Sequence, residues 1–286
     1  MKYISLFTGI GGFEVAIHQL FPNAICLGYS EIDKNCEKIY KKHFPTHQNL
    51  GDITNINAKK LKGKIDLLVG GSPCQDFSTM NINTKNSGLE GSKSKLFFHF
   101  LRILKESQPR YFILENVKMK QVWRDVISSH LNVSPVEINS NTVSAQNRSR
   151  LYWTNLPIQT NLFVSKNIVI NDILEERKDK EEYKMITFDK QLKQYISSGE
   201  KGPFVKINCH TDSKTNTLTT DSRFYVYYEE DNKKIIYKLT PLERERLQTF
   251  PENWTSDLST TMRYKVVGNA VTCDVIKELV KFYKPS

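Results

Sequence analysis

The sequence has few cysteines, and they form no recognisable pairing pattern. Five cysteines stand far apart in 286 residues with no Cys-x-x-Cys pair, so neither a disulfide framework nor a zinc site is indicated. The chain also lacks any apolar run near the roughly 18 residues of a membrane-spanning helix, and it begins with a strand pattern instead of a signal peptide. We therefore expect a reduced, intracellular protein with no metal and no membrane partner.

Acidic residues are in deficit, which gives the chain a formal net charge of +10. That charge suits a polyanionic partner such as nucleic acid, although charge alone identifies no partner. The excess is unevenly placed, because residues 157–237 hold 13 basic and 13 acidic residues. The rest of the chain carries the whole surplus. A hydrophobic content of 39% is enough for one substantial core and a smaller lobe.

The sequence around Cys74 indicates a reactive cysteine. The apolar run Leu67–Val69 predicts a strand buried on both faces. Gly70-Gly71 and Pro73 then predict a tight turn that presents Cys74 at the carboxyl end of this strand. Open α/β sheets place their chemistry at that edge, and a cysteine there is a nucleophile candidate. A small buried cysteine is the alternative that the isolated residue leaves open.

A glycine-rich turn near the start of the chain predicts a cofactor site. Residues 3–21 have the pattern of a strand, a turn (Gly9-x-Gly11-Gly12) and a helix, and such a turn suits a nucleotide-like cofactor. Glu14 stands where the dinucleotide fingerprint has its third glycine, which argues against NAD. A second predicted strand ends at Glu31, where an acidic side chain can accept hydrogen bonds from ribose. Asp33 is predicted to cap the next helix.

Other polar groups lie where a site could form. The polar stretch 75–95 is long enough to predict a lid. The strand that follows it places Glu115 at its carboxyl end, where a carboxyl group can do acid work. Arg148 and Arg150 lie two residues apart, so both side chains point to one face if the segment is extended. This predicts an arginine clamp, and two solvated surface arginines are the alternative.

The alternation of strands and helices stops after Pro157, which leaves a charged, irregular segment as far as Tyr237. A helix is predicted to begin just beyond it. Thr240 can cap this helix, Pro241 suits its first position and Glu243 completes a capping box.

Six motifs, in this order, resemble the cytosine-C5 DNA methyltransferase family of the bacterial or phage type. They are SLFTGIGGFE at 5–14, GGSPCQDFS at 70–78, ENV at 115–117, QNRSR at 146–150, LTPLERERLQTFP at 239–251 and VGNAV at 267–271. The resemblance implies an α/β fold with a Rossmann-like sheet of the S-adenosylmethionine-dependent methyltransferases and a small, irregular target-recognition lobe. It implies a catalytic and cofactor-binding domain at 1–156 plus 238–286, and a target-recognition domain at 157–237.

The resemblance also implies which residues carry the chemistry. Cys74 would attack carbon 6 of cytosine, and Glu115 would hydrogen-bond or protonate ring nitrogen 3. Arg150 would hold the carbonyl oxygen at carbon 2, with Arg148 supporting the site. The residues expected at S-adenosylmethionine are Phe7, Gly9, Gly11, Gly12, Glu31 on the ribose, Asp52 on the adenine amine, Ile53, Pro73, Leu96, Asn269 and Val271. Those expected at DNA are Gln75, Ser78, Lys93, Thr219 and Arg223.

The implied activity is that of a sequence-specific DNA (cytosine-5-)-methyltransferase that flips the target base and forms a covalent cysteine adduct. We expect double-stranded DNA as partner, a monomeric enzyme in the cytoplasm at the nucleoid of a bacterial or phage system, and a separately acting restriction endonuclease as a second partner. Two alternatives stay open, an RNA cytosine methyltransferase of the transfer-RNA branch and a catalytically inactive DNA-binding relative. The first tends to have Pro-Pro-Cys where this chain has Ser72-Pro73-Cys74.

Overall fold

The computed structural model describes residues 1–72, 95–159, 164–176, 206–220, 224–230 and 233–285. The helices in these ranges are α1 (Gly12–Leu20), α2 (Lys34–His43), α3 (Lys95–Ser107), α4 (Gln121–Leu131), α5 (Pro241–Leu247), α6 (Thr260–Asn269) and α7 (Cys273–Val280). The strands are β1 (Lys2–Leu6), β2 (Ile25–Ser30), β3 (Leu67–Gly71), β4 (Tyr111–Val117), β5 (Val136–Asn139), β6 (Gln146–Asn147), β7 (Ser149–Thr154), β8 (Lys206–His210), β9 (Thr215–Asn216), β10 (Phe224–Glu230) and β11 (Lys233–Lys238). Short 3₁₀ helices span Ile53–Asn55, Ala58–Leu61, Ser140–Thr142 and Ile170–Ile173.

The chain divides into two compact units. The first unit is Met1–Asn139, Ser149–Phe163 and Ala270–Ser286, and the second is Ser140–Arg148 and Val164–Asn269. Residues 140–148 and 238–269, which the sequence analysis assigns to the catalytic domain, therefore lie in the second unit. No helix in the described ranges is long and apolar enough to cross a membrane.

A six-stranded sheet with the order β2-β1-β3-β4-β7-β5 forms the centre of the first unit. β2, β1, β3 and β4 are parallel, so their carboxyl ends meet at one edge of the sheet. β7 is antiparallel to β4, and its first residues therefore lie at this same edge. The mostly parallel α/β sheet confirms the predicted fold class.

Apolar strands and one helix stripe explain why this sheet is central. Leu67–Val69 are fully buried, as the continuous apolar run of β3 predicts. An apolar stripe of α3 contributes Phe97 and Phe100 to the same core. Trp153 on β7 is also fully buried and donates its indole N–H to Ser128 Oγ at 2.9 Å, so its polar atom is satisfied inside the core.

The second unit has more regular structure than the irregular lobe that the sequence predicts. β10 pairs antiparallel with β11 and parallel with β8, and β6 pairs with β9. The physical reason lies in β10, where Phe224 and Val226 are buried and Tyr225 between them is only half-buried. This alternation is the signature of a strand with one covered face.

Candidate active site

The carboxyl edge of the first unit's sheet collects groups from four strands. Phe7 and Gly9 follow β1, and Glu31 follows β2. Glu115 lies near the end of β4, next to the end of β3. Arg150 reaches this edge because β7 runs antiparallel, which pairs it with Val117 at the last position of β4. The topology thus gathers residues that are far apart in sequence.

Glu115 and Arg150 form an ion pair at this edge. Arg150 Nε lies 3.3 Å from Glu115 Oε1, and the two side chains are only 13% and 12% exposed. Arg150 also donates from Nη1 to the Ser149 carbonyl at 2.8 Å. A Cβ atom added at Gly71 would lie 3.0 Å from Glu115 Oε2, so the missing side chain lets the carboxylate approach the end of β3. A partly desolvated acid and a guanidinium therefore stand beside the strand that leads to Cys74.

Asn116 ties the same two strand ends together. Its Nδ2 donates to Ser72 Oγ at 2.9 Å, and the two residues are 1% and 4% exposed. This buried hydrogen bond fixes the residue that comes two before Cys74. The sequence analysis missed this role, for which the ENV motif was the available signal. Cys74 itself lies outside the described residues, as do Pro73, Gln75, Ser78, Lys93 and Arg223.

The glycine-rich turn is held by Glu31. Its Oε2 accepts the Gly9 N–H at 2.8 Å, and its Oε1 accepts the N–H groups of Ile32 and Asp33, each at 2.8 Å. A carboxylate offers about four acceptor positions, so Glu31 keeps capacity for a ligand hydroxyl. Gly9 has φ +55° and no heavy atom within 4 Å of an added Cβ. Open space therefore adjoins the carboxylate.

The neighbouring residues that are predicted to bind the cofactor differ in solvent exposure. Asp52 is exposed and accepts the Thr54 N–H at 2.8 Å, a hydrogen bond that holds the pKa of its carboxyl below the ordinary value. Ile53 is buried beside it, Leu96 on α3 is half-buried, and Gly11 and Gly12 are buried at the start of α1.

Ile32 is a candidate that the sequence analysis missed. Its side chain is 68% exposed directly after Glu31, and an isoleucine so exposed at a strand end can pack against the flat face of a base. The signal was an apolar residue following the strand-terminal acid.

These groups fit S-adenosylmethionine. Glu31 supplies an acceptor for ribose hydroxyls, Ile32 supplies an apolar surface, and the space beside Gly9 admits a ligand close to the backbone. Within the described ranges, no group of three or more His, Cys, Asp or Glu side chains could hold a metal ion.

Arg148 has a different environment from Arg150. It is 4% exposed and belongs to the second unit, where Nη1 donates to the Leu218 carbonyl at 2.8 Å and Nη2 to the Gly268 carbonyl at 3.3 Å. Arg148 stands between β6 and β7, directly before the first residue of β7, and the clamp of two arginines stays a prediction.

The remaining predicted residues are placed separately. Asn269 is the exposed last residue of α6, and Val271 is half-buried just before α7. Thr219 is half-buried and follows the buried Leu218.

Comparisons with known proteins agree with this architecture. A family model described as C-5 cytosine-specific DNA methylase matches residues 1–284. The chain is 30% identical to the type II methyltransferase M1.ScrFI of Lactococcus lactis subsp. cremoris, over 98% of this chain and 77% of that protein. It is also 30% identical to the type II methyltransferase M.HpaII of Haemophilus parainfluenzae, over 96% and 87% of the two chains. The solved methyltransferase EhMeth of Entamoeba histolytica shares the fold, with a TM-score of 0.77 at 18% identity over 99% of this chain and 97% of that one.

Proposed function

This chain belongs to the C-5 cytosine-specific DNA methylase family, and from that premise we propose that it flips a cytosine out of double-stranded DNA and methylates carbon 5 through a covalent adduct with Cys74. The observation that carries the proposal is the Glu115–Arg150 ion pair, which lies at the end of β4 beside the end of β3. Asn116 holds Ser72 there, and Cys74 follows two residues later.

The cysteine is needed because carbon 5 of cytosine is a poor nucleophile. In the proposed reaction the Cys74 thiolate forms a bond to carbon 6, and the displaced electron pair makes carbon 5 nucleophilic. S-adenosylmethionine, when bound, would supply an electrophilic methyl group to carbon 5 and would leave as the neutral thioether S-adenosylhomocysteine. The proton on carbon 5 then leaves to a base, and the returning electron pair expels the cysteine. The thiolate is regenerated at the end of the cycle.

Glu115 and Arg150 stabilise the charge that this addition places on the ring. We assign Glu115 to ring nitrogen 3, which its carboxyl group hydrogen-bonds or protonates, and Arg150 to the carbonyl oxygen at carbon 2. The ion pair between them, at 3.3 Å, orients both side chains before the cytosine enters the site. Preorganised groups of this kind are typically worth ~10²–10³ in rate each.

The proposed cofactor contacts lie at the carboxyl edge of the sheet. Glu31 accepts hydrogen bonds from the ribose hydroxyls, and Ile32 packs against the base. We assign Asp52 to the adenine amine, because its exposed carboxylate is a ready acceptor. Gly9 leaves room for the ligand to approach the backbone.

The proposed partner is duplex DNA in a bacterial or phage system, with the enzyme acting as a monomer at the nucleoid. A base inside a stacked duplex exposes neither carbon 5 nor carbon 6 to the enzyme, so flipping is required, at a cost of a few kcal/mol. Lys93 would contact phosphates, and Arg223 would read a guanine edge. A restriction endonuclease of the same specificity, acting separately, is the second proposed partner.

Trapping on 5-fluorocytosine tests the proposal, because fluorine cannot leave carbon 5 as a proton does. The wild-type protein should methylate duplex DNA but not transfer RNA, and should form a denaturation-resistant adduct with duplex DNA containing 5-fluorocytosine. Cys74→Ala should lose both activities while binding S-adenosylmethionine with unchanged affinity by calorimetry. Cys36→Ser on α2 is the matched control and should retain both.

Two results would contradict the proposal. Substantial turnover by Cys74→Ala would exclude the covalent adduct. Methylation of transfer RNA without methylation of duplex DNA would exclude DNA as the substrate.

A further inference from the structure

The backbone N–H and carbonyl groups of Leu218 are both hydrogen-bonded by side chains of one short segment of the second unit. The Leu218 N–H donates to Gln146 Oε1 at 3.2 Å, and the Leu218 carbonyl accepts from Arg148 Nη1 at 2.8 Å. The Leu218 side chain is itself 1% exposed. A peptide fixed at its donor, its acceptor and its side chain can hardly move without breaking buried hydrogen bonds.

The two side chains that hold Leu218 are themselves anchored to helices. Gln146 Nε2 donates to the Leu247 carbonyl at 2.7 Å and to Gln248 Oε1 at 3.0 Å, at the end of α5. Arg148 Nη2 donates to the Gly268 carbonyl on α6 at 3.3 Å. Two buried side chains therefore connect Leu218 to two helices and fix its position relative to them.

Gly268 fixes the next peptide by contact. A Cβ atom added there would lie 2.5 Å from the carbonyl carbon of Thr219 and 2.7 Å from the nitrogen of Thr220. Such distances are impossible for a real side chain, so only glycine lets α6 approach this backbone. On the other side of Leu218, Thr217 Oγ1 donates to the Asn147 carbonyl at 2.8 Å.

The segment that is fixed in this way includes two threonine side chains. Thr219 is half-buried and Thr220 is exposed. Threonine hydroxyls can donate and accept hydrogen bonds, so they can contact phosphates as well as base edges. Their short side chains have few rotamers, which means that the backbone position decides where the hydroxyls lie.

We infer that Gln146, Arg148 and Gly268, together named the Leu218 clamp, set the sequence specificity of the enzyme by fixing Thr219 and Thr220 for contact with DNA. Arg148 is then a positioning residue and not a contact to the cytosine ring. The inference rests on the proposed function, because it names the part of the second unit that discriminates between DNA sequences.

The clamp is costly, which supports a dedicated role. Arg148 places a desolvated charge on neutral carbonyl groups, and burying a charge costs free energy unless its hydrogen bonds are well made. A neutral side chain could fill the same space. What the guanidinium adds is a rigid planar fork that joins two carbonyls in a fixed geometry.

Gly268→Ala is the direct test, since alanine suits a helix but its methyl group must displace the Thr219–Thr220 backbone. The preferred site of the wild-type protein is found first on a library of randomised sequences around one cytosine. The ratio of kcat/KM on that site to kcat/KM on sites altered at one base is then measured. We expect this ratio to fall about tenfold, which is about 1.4 kcal/mol of discrimination. Thr261→Ala, exposed on α6, is the control and should keep the ratio.

The ratio separates positioning from stability. A variant that is merely less stable loses active enzyme equally on all sequences and keeps the ratio unchanged. Thr220→Val serves as a second variant, because it removes an exposed hydroxyl and leaves the clamp intact, and its ratio should also fall. An unchanged ratio in either variant, with cooperative thermal unfolding intact, would overturn the inference. Absence of DNA methylation by the wild-type protein would instead count against the proposed function.

Discussion

Arg148 and Arg150 belong to one five-residue motif, yet they bind different kinds of partner. Arg150 faces the carboxylate of Glu115 at the sheet edge of the first unit. Arg148 faces the carbonyls of Leu218 and Gly268 in the second unit. The first arginine is paired with a charge at a partly accessible position, and the second is buried and donates to two backbone carbonyls.

The partner of a charged side chain indicates the role of that side chain. An ion pair at a strand end offers a substrate two groups of opposite charge, and each can exchange part of its pairing for ligand contacts. A guanidinium on buried carbonyls is costly to release, because the charge then stays buried without those hydrogen bonds. We therefore assign chemistry to Arg150 and positioning to Arg148. Replacing one charged residue at a time tests this assignment.

The largest expected effect follows from Glu115→Gln. Glutamine keeps the shape of the side chain, but it removes the ion pair with Arg150 and cannot donate a carboxylic acid proton to ring nitrogen 3. We expect the single-turnover methylation rate to fall by ~10²–10³, with the ranking of DNA sites unchanged. Lys118→Gln breaks an exposed ion pair with Glu137 just beyond β4 and is the matched control, which should stay near the wild-type rate. A small rate loss for Glu115→Gln, matching the control, would remove Glu115 from the chemistry.

Glu14 is a fully buried acid, and none of the described cationic side chains contributes to its pKa. Burial raises the pKa of this carboxyl from 4.5 to about 7, against a smaller opposite effect of the Ser5 hydroxyl. The folded state therefore holds the Glu14 proton over a range where the unfolded state has lost it, and this group's contribution to stability falls as the pH rises from about 4.5 to 7.

Glu14→Gln should remove that pH-dependent cost. We expect the variant to exceed the wild-type protein by about 3 kcal/mol in the free energy of unfolding at pH 8. The difference should shrink towards pH 4.5, where both states of the wild-type carboxyl bind the proton. Urea unfolding at the two pH values measures it. An equal difference at both pH values would mean that packing, and not ionisation, sets the effect.

The smallest effect concerns Glu31, whose carboxylate accepts hydrogen bonds from three backbone N–H groups. Glu31→Ala should weaken S-adenosylmethionine binding about tenfold, because a charged acceptor for a hydroxyl contributes about 1.5–3 kcal/mol and water replaces part of it. Asp52→Ala should act in the same direction. Glu278→Gln, which breaks a surface ion pair with Lys281 on α7, should leave the calorimetric affinity unchanged. Unchanged affinity in both Glu31→Ala and Asp52→Ala would show that the cofactor pocket is placed wrongly.

Features that depend on neighbours in sequence could be predicted without the structure. Asp33 caps α2 by accepting the N–H groups of Asn35 and Cys36, as predicted. Thr240 and Glu243 form the expected capping box at the start of α5. Both motifs are complete within four residues, so a local reading contains all the partners that they need.

Features that depend on distant partners could not be predicted. Arg148 and Gly268 are 120 residues apart, and Gln146 and Leu218 are 72 apart. The spacing of the residues within QNRSR contains no information on these partners, which lie far away in the sequence. The sheet of the second unit was missed for a related reason, since one alternating strand, β10, gives little periodic signal until its partners are known.

The division of labour between the two arginines is tested most directly by making the same change at both. Arg150→Lys and Arg148→Lys each keep the charge and remove the planar fork. Single-turnover methylation is measured for both on the preferred DNA site and on a site altered at one base. The account predicts that Arg150→Lys slows both DNAs by the same factor, whereas Arg148→Lys reduces the ratio between them about tenfold. A reduced ratio for Arg150→Lys together with an unchanged ratio for Arg148→Lys would contradict it.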